Sequence, residues 1–106
     1  MLLLMAGTMV EDAGLQPLYA NNADEAIAIL EARTDIRIVF TDVDMPGSMD
    51  GIKLATAVRN RWPPIRIIVV SGHPSAGLSK LPDGARFFAK PYDEQRIVET
   101  LTAMAA

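Results

Sequence analysis

Three side chains in this 106-residue sequence could do chemistry together: Asp42, Ser71 and Lys90. Asp42 closes the run Ile36 to Asp42, in which five of seven residues are apolar or β-branched, as in a strand buried on both faces. Ser71 follows the apolar run Ile65 to Val70, and Lys90 follows Ala85 to Ala89. A carboxylate can act as nucleophile and form an acyl phosphate. A hydroxyl can donate to a phosphoryl oxygen, and an ammonium can neutralise its charge. Such chemistry calls for Mg²⁺ on one or two carboxylates and phosphate oxygens. Taken singly, each residue has an ordinary explanation. An Asp at a strand end is often a turn or cap residue, Ser71-Gly72 is a common turn pair, and a lone Lys is usually a solvated charge. Asp44 can hydrogen-bond its own loop. His73 is the single histidine and reads as a loop residue, and Trp62 reads as core or helix-end packing. The joint placement of the acid, the alcohol and the amine sets them apart.

That placement depends on the elements around them. Residues 2–12 are apolar at Leu2, Leu3, Leu4, Met5, Ala6, Met9 and Val10 and read as a helix, with Gly14 suited to its C′ position. The alternative, a short strand at Leu2 to Met5, leaves little chain for a crossover helix before the next strand. Leu15 to Ala20 reads as a strand, and Pro17 confines it to an edge or to a start after the proline. Asn22 followed by Glu25 predicts a capped helix with the stripe Ala26, Ile27, Ile29 and Leu30. Pro46 and Gly47 break the chain after Asp44. A third stripe, Ile52, Leu54, Ala55 and Val58, stops at Pro63-Pro64. Residues 73–84 hold a short helix at most. A last helix spans 93–105, capped by Asp93, with Val98, Leu101 and Met104 along it. Alternation of this kind predicts a doubly wound parallel sheet with helices on both faces. Right-handed crossovers then put every strand's C-terminal end on one rim, where Asp42, Ser71 and Lys90 fall.

Length and composition restrict the function. A chain of 106 residues accommodates one domain, 1–106. The net charge of −3 gives no electrostatic basis for nucleic-acid binding. With no cysteine, disulfides and thiolate metal sites are excluded. The run Leu2 to Met5 is too short to cross a bilayer and lacks the basic flank of a secretion signal. The expectation is a soluble, cytoplasmic protein with no membrane partner.

The segments Val39-Phe40-Thr41-Asp42-Val43-Asp44-Met45-Pro46 with Asp50-Gly51, Ile67 to Gly72, and Phe87-Phe88-Ala89-Lys90-Pro91-Tyr92 resemble the receiver domain of two-component response regulators. The resemblance covers nearly the whole chain in order and implies a flavodoxin-like fold. It implies that Asp42 is the phospho-acceptor in a phosphorelay, charged by a sensor histidine kinase or phosphotransfer protein. Ser71 and Lys90 would contact the phosphoryl group, Lys90–Pro91 would be a cis peptide, and Phe87 would be the switch aromatic. Mg²⁺ would be held by Asp42 and the backbone carbonyl of Asp44. The output would be binding of a downstream protein partner at the last strand and helix, near Phe87 and Tyr92, by a stand-alone module.

The resemblance departs at the N-terminus. Receivers begin with a strand ending in an acidic pair that completes the metal site, whereas this chain reads as starting at the following helix. Glu11-Asp12 lie too close to Asp42 in sequence, and close a helix, so they do not replace the pair. The expectation is therefore an N-terminally truncated sheet of about four strands, with weak Mg²⁺ binding and impaired phosphorylation. In the family's strand order the lost strand is central. Its roughly four buried aliphatic residues correspond to about 6–12 kcal/mol, against a domain stability of about 5–15 kcal/mol. The slot should then be filled by the strand 15–20 sliding inward, by N-terminal residues, or by strand exchange in a homodimer.

Two other functions fit parts of the pattern. A degenerate receiver would act only as a protein-interaction module. A haloacid-dehalogenase-like phosphatase would use Asp42 as nucleophile and Asp44 as acid/base, but it lacks a later acidic loop and a cap. The favoured reading is a signalling module and not an enzyme.

Overall fold

In a computed structural model, residues 2–4, 17–43, 51–72, 81–82, 84–89 and 91–105 are described. The strands are β1 (Leu2–Leu4), β2 (Pro17–Tyr19), β3 (Ile38–Asp42), β4 (Arg66–Ser71) and β5 (Arg86–Ala89). The helices are α1 (Ala23–Ala32), α2 (Gly51–Arg61) and α3 (Glu94–Ala105). The strands form one parallel sheet in the order β2-β1-β3-β4-β5.

This corrects the expectation at the N-terminus. Leu2 to Leu4 are a strand and not the start of a helix, and the sheet has five strands rather than about four. Of the three ways to fill the central slot, the chain uses its own N-terminal residues: Leu2 to Leu4 pair with Pro17 to Tyr19 on one side and with Ile38 to Phe40 on the other. Residues 5–16 separate β1 from β2, about the dozen that a parallel crossover requires. Pro17 opens the edge strand β2, where its missing N–H breaks no internal ladder. The short helix expected in 73–84 lies mostly outside the described residues.

The helices cover both faces, as the doubly wound pattern requires. Ala23, Ala26 and Leu30 of α1 and Leu54, Ala55 and Val58 of α2 pack with Val39, Ile67 and Val69. Ile97 and Leu101 of α3 pack with Ile38, Phe40, Ile68 and Val70 on the other face. Odd and even residues of β3 and β4 thus enter different cores, which is why both strands read as continuous apolar runs. Helix ends follow local chemistry. The Asn22 side chain accepts from the Glu25 N–H at 2.8 Å, and the Asp93 side chain accepts from the Gln95 N–H at 2.9 Å. α2 stops before Pro63-Pro64, where the Trp62 N–H donates to the Val58 carbonyl at 2.8 Å. Half-buried Trp62 packs on the α1/α2 core beneath the Arg61 guanidinium, 4.4 Å from its ring centre.

Candidate phospho-acceptor rim

Asp42 is the last residue of β3 and Ser71 the last of β4. Parallel pairing sets Asp42 beside Val70, and Ser71 beside Ala89, the last residue of β5. The strand ends β3, β4 and β5 therefore lie next to one another on one rim. Asp42 is only 9% exposed and Ser71 is fully buried. By alternation Asp42 continues the row of Ile38 and Phe40, and Ser71 that of Ile67 and Val69. Their common ground is the rim, where both strands stop. Lys90 follows Ala89 directly in sequence, but it and Asp44 lie outside the described residues, as does the Lys90–Pro91 peptide. Pro91 itself is exposed.

The backbone around Asp42 is tightly held. The Val43 N–H donates to the Val70 carbonyl at 2.9 Å, extending the β3–β4 ladder past the carboxylate. The Gly51 N–H donates to the Val43 carbonyl at 3.0 Å and ties the start of α2 to the end of β3. A Cβ on Gly51 would overlap the Asp42 carbonyl and the Val43 Cα, so only glycine lets α2 start this close to the strand end. The fully buried Thr41 hydroxyl donates to the Asp42 carbonyl at 3.0 Å. No buried side-chain polar atom among the described residues lacks a partner. The sequence reading did not single out Thr41, and it placed Gly51 only as part of the Asp50-Gly51 pair. The glycine at a helix start was the available signal.

Phe87 is half-buried against the α1/α2 core, in register with Val69. Beside it, the edge strand β5 and the start of α3 border an open cavity of about 370 Å³ lined by Phe87, Phe88, Pro91, Tyr92 and Arg96, among others. This is the surface the sequence suggested for partner binding.

No group of three His, Cys, Asp or Glu suited to a metal ion occurs among the described residues. Met5-Ala6-Gly7 follow β1 in the sequence, so no carboxylate stands directly after that strand. Among the described residues Asp42 is the carboxylate at the strand ends of this rim, and Mg²⁺ usually takes one or two carboxylates with its waters and phosphate oxygens. No helix among the described residues is long and apolar enough to cross a membrane.

Comparison with known proteins agrees with this fold. The chain is 29% identical over 94 residues to an NtrX-like response regulator of Rickettsia bellii, which covers 85% of this chain and 20% of that protein. It is 32% identical over 84 residues to the DNA-binding transcriptional regulator NtrC of Salmonella typhimurium, covering 76% of this chain and 18% of that protein. The chain thus spans about a fifth of the length of the curated relatives it matches. A response regulator receiver protein from Sinorhizobium medicae has the same fold, with a TM-score of 0.84 at 21% identity over 97% of this chain and 90% of the other. The family model for the response regulator receiver domain matches residues 2–102, and the chain belongs to that flavodoxin-like family of two-component systems.

Proposed function

We propose that this chain is a phosphorelay receiver in which Asp42 accepts a phosphoryl group from a histidine kinase or phosphotransfer protein. The supporting observation is the position of Asp42: a nearly buried carboxylate at the end of a central strand, beside the end of the strand that carries Ser71. In the step, an Asp42 carboxylate oxygen attacks phosphorus, the bond from phosphorus to the donor's leaving atom breaks, and the leaving group departs with that electron pair. The Ser71 hydroxyl donates a hydrogen bond to a phosphoryl oxygen, and Lys90 balances the added charge. Phe87 then repacks at the edge of the α1/α2 core and alters the partner surface of β5 and α3, a population shift. Asp42 and the Asp44 carbonyl would hold Mg²⁺, which would screen the charge of the incoming phosphoryl group, and this hold would be weak because no carboxylate directly follows β1 in the sequence. Phosphorylation is correspondingly slow.

Intact-mass spectrometry after incubation with acetyl phosphate and Mg²⁺ tests this. Slow adduct formation on the wild type, absent in Asp42→Asn, is expected. Labelling that persists in Asp42→Asn overturns the assignment, and rapid stoichiometric labelling overturns the impairment. The lack of a carboxylate directly after β1 in the sequence also favours a second reading, a degenerate receiver that binds partners without phosphate. Equal partner binding by wild type and Asp42→Ala would support that reading over the first.

A further inference from the structure

The rim opposite Asp42 is rich in arginine. Arg37 precedes β3, Arg66 opens β4, Arg86 opens β5, and Arg59 and Arg61 lie in the last turn of α2. Arg61 is paired with Glu31 at 2.7 Å. Arg66 and Arg86 are in no ion pair among the described residues. They nevertheless share one face of the sheet. Arg86 is in register with Ile68, and Arg66 precedes Ile68 by two residues on the neighbouring strand. Ile97 and Leu101 of α3 cover that face further up. Below them a cavity of about 340 Å³ opens between the two strand starts and the C-terminal half of α3, lined by Arg66, Arg86, Gly84, Glu99, Thr100 and Met104 among others. Arg59 is outside the lining: its Nη1 donates to the Pro63 carbonyl at 3.4 Å and lies 3.9 Å from where a Cβ of Gly84 would stand, and Gly84 has a φ of +85°. Glu99 is the single carboxylate in the lining, so positive charge is in excess.

We propose that this cavity is an anion site for a small molecule bearing a phosphate or carboxylate group. Two guanidinium forks on adjacent strands match the paired oxygens of either group, which they hold bidentately. The volume lies at the lower end of small-ligand pockets, about 300–1,000 Å³. The strands fix the spacing of the two arginine backbones, and the ligand orders their exposed side chains. The site is separate from the phospho-acceptor, which stands at the far end of β3.

Calorimetric titration of the whole chain with pyrophosphate, and separately with citrate, at an ionic strength matched with sodium chloride, tests the proposal. Saturable binding of at least one probe is expected, and the probe that binds identifies the group. Asp42→Asn should bind equally well. Arg66→Gln and Arg86→Gln should each weaken binding by about tenfold or more. Both arginines are exposed, so these variants should fold, and Arg66→Lys, which keeps the charge but loses the fork, should also bind more weakly than wild type. Absence of saturable binding by both probes, undiminished binding in the two Gln variants, or loss of binding in Asp42→Asn would each overturn the site.

Discussion

At the residue scale, the position of Asp42 depends as much on what is absent beside it as on what is present. Gly51 has no side chain, and that lets α2 begin against the Asp42–Val43 backbone. Gly51→Ala should therefore push the helix start away and cost about 1–3 kcal/mol, a penalty typical of overpacking. Urea unfolding measures it, and an unchanged midpoint would contradict the close approach. A second residue-scale effect is electrostatic. The Arg33 guanidinium donates to both Asp35 oxygens at 2.9 and 2.8 Å and holds that carboxyl at about 2 instead of its ordinary 3.8. A carboxyl depressed in the folded state stabilises fully above its ordinary value, and this contribution is lost as pH falls through about 2. Both groups are exposed, so the effect is small. Urea midpoints between pH 5 and pH 2 should fall less in Asp35→Asn than in the wild type. Identical slopes would show that the pair contributes nothing to folding.

At the element scale, most of the architecture was legible because local and tertiary preferences agree. Asn22 and Glu25 announce α1, and Asn22→Ala should cost about 0.5–2 kcal/mol by thermal or urea unfolding. A variant as stable as wild type would mean the cap is redundant. Pro17 marked an edge strand, and the apolar runs at 36–42 and 65–70 were the two strands with both faces buried. The N-terminus was misread for a physical reason. Leu2-Leu3-Leu4-Met5-Ala6 has no alternation, and leucine is a good helix former, so periodicity does not distinguish strand from helix there. Pairing on both sides by β2 and β3 decides it, and that information is tertiary. The candidate site was legible in the same sense: strand ends locate Asp42 and Ser71, whereas the closeness of α2 that makes Gly51 necessary appears only once the helix is docked.

At the scale of the whole molecule, the chain fills its own central slot, so strand exchange with a second copy is not needed to complete the sheet. Light scattering through a dilution series should keep one mass. A mass that halves on dilution together with loss of the sheet's circular-dichroism signal would indicate that exchanged strands complete the sheet in solution. Leu3→Pro removes a ladder donor from a strand paired on both sides and should abolish cooperative unfolding. The molecule is also polar end to end, with Asp42 on one rim and Arg66 and Arg86 near the other. The opposed rims separate the proposed covalent chemistry from the proposed anion site.

The central claim is that the phosphoryl group resides on Asp42, and borohydride trapping tests it most directly. Reduction of an aspartyl phosphate leaves homoserine at the modified position, which peptide mapping locates. After incubation with acetyl phosphate, homoserine at position 42 alone is the predicted result. Homoserine at Asp44 or Asp50 instead, or none from a sample whose mass shows the phosphoryl adduct, would contradict the account.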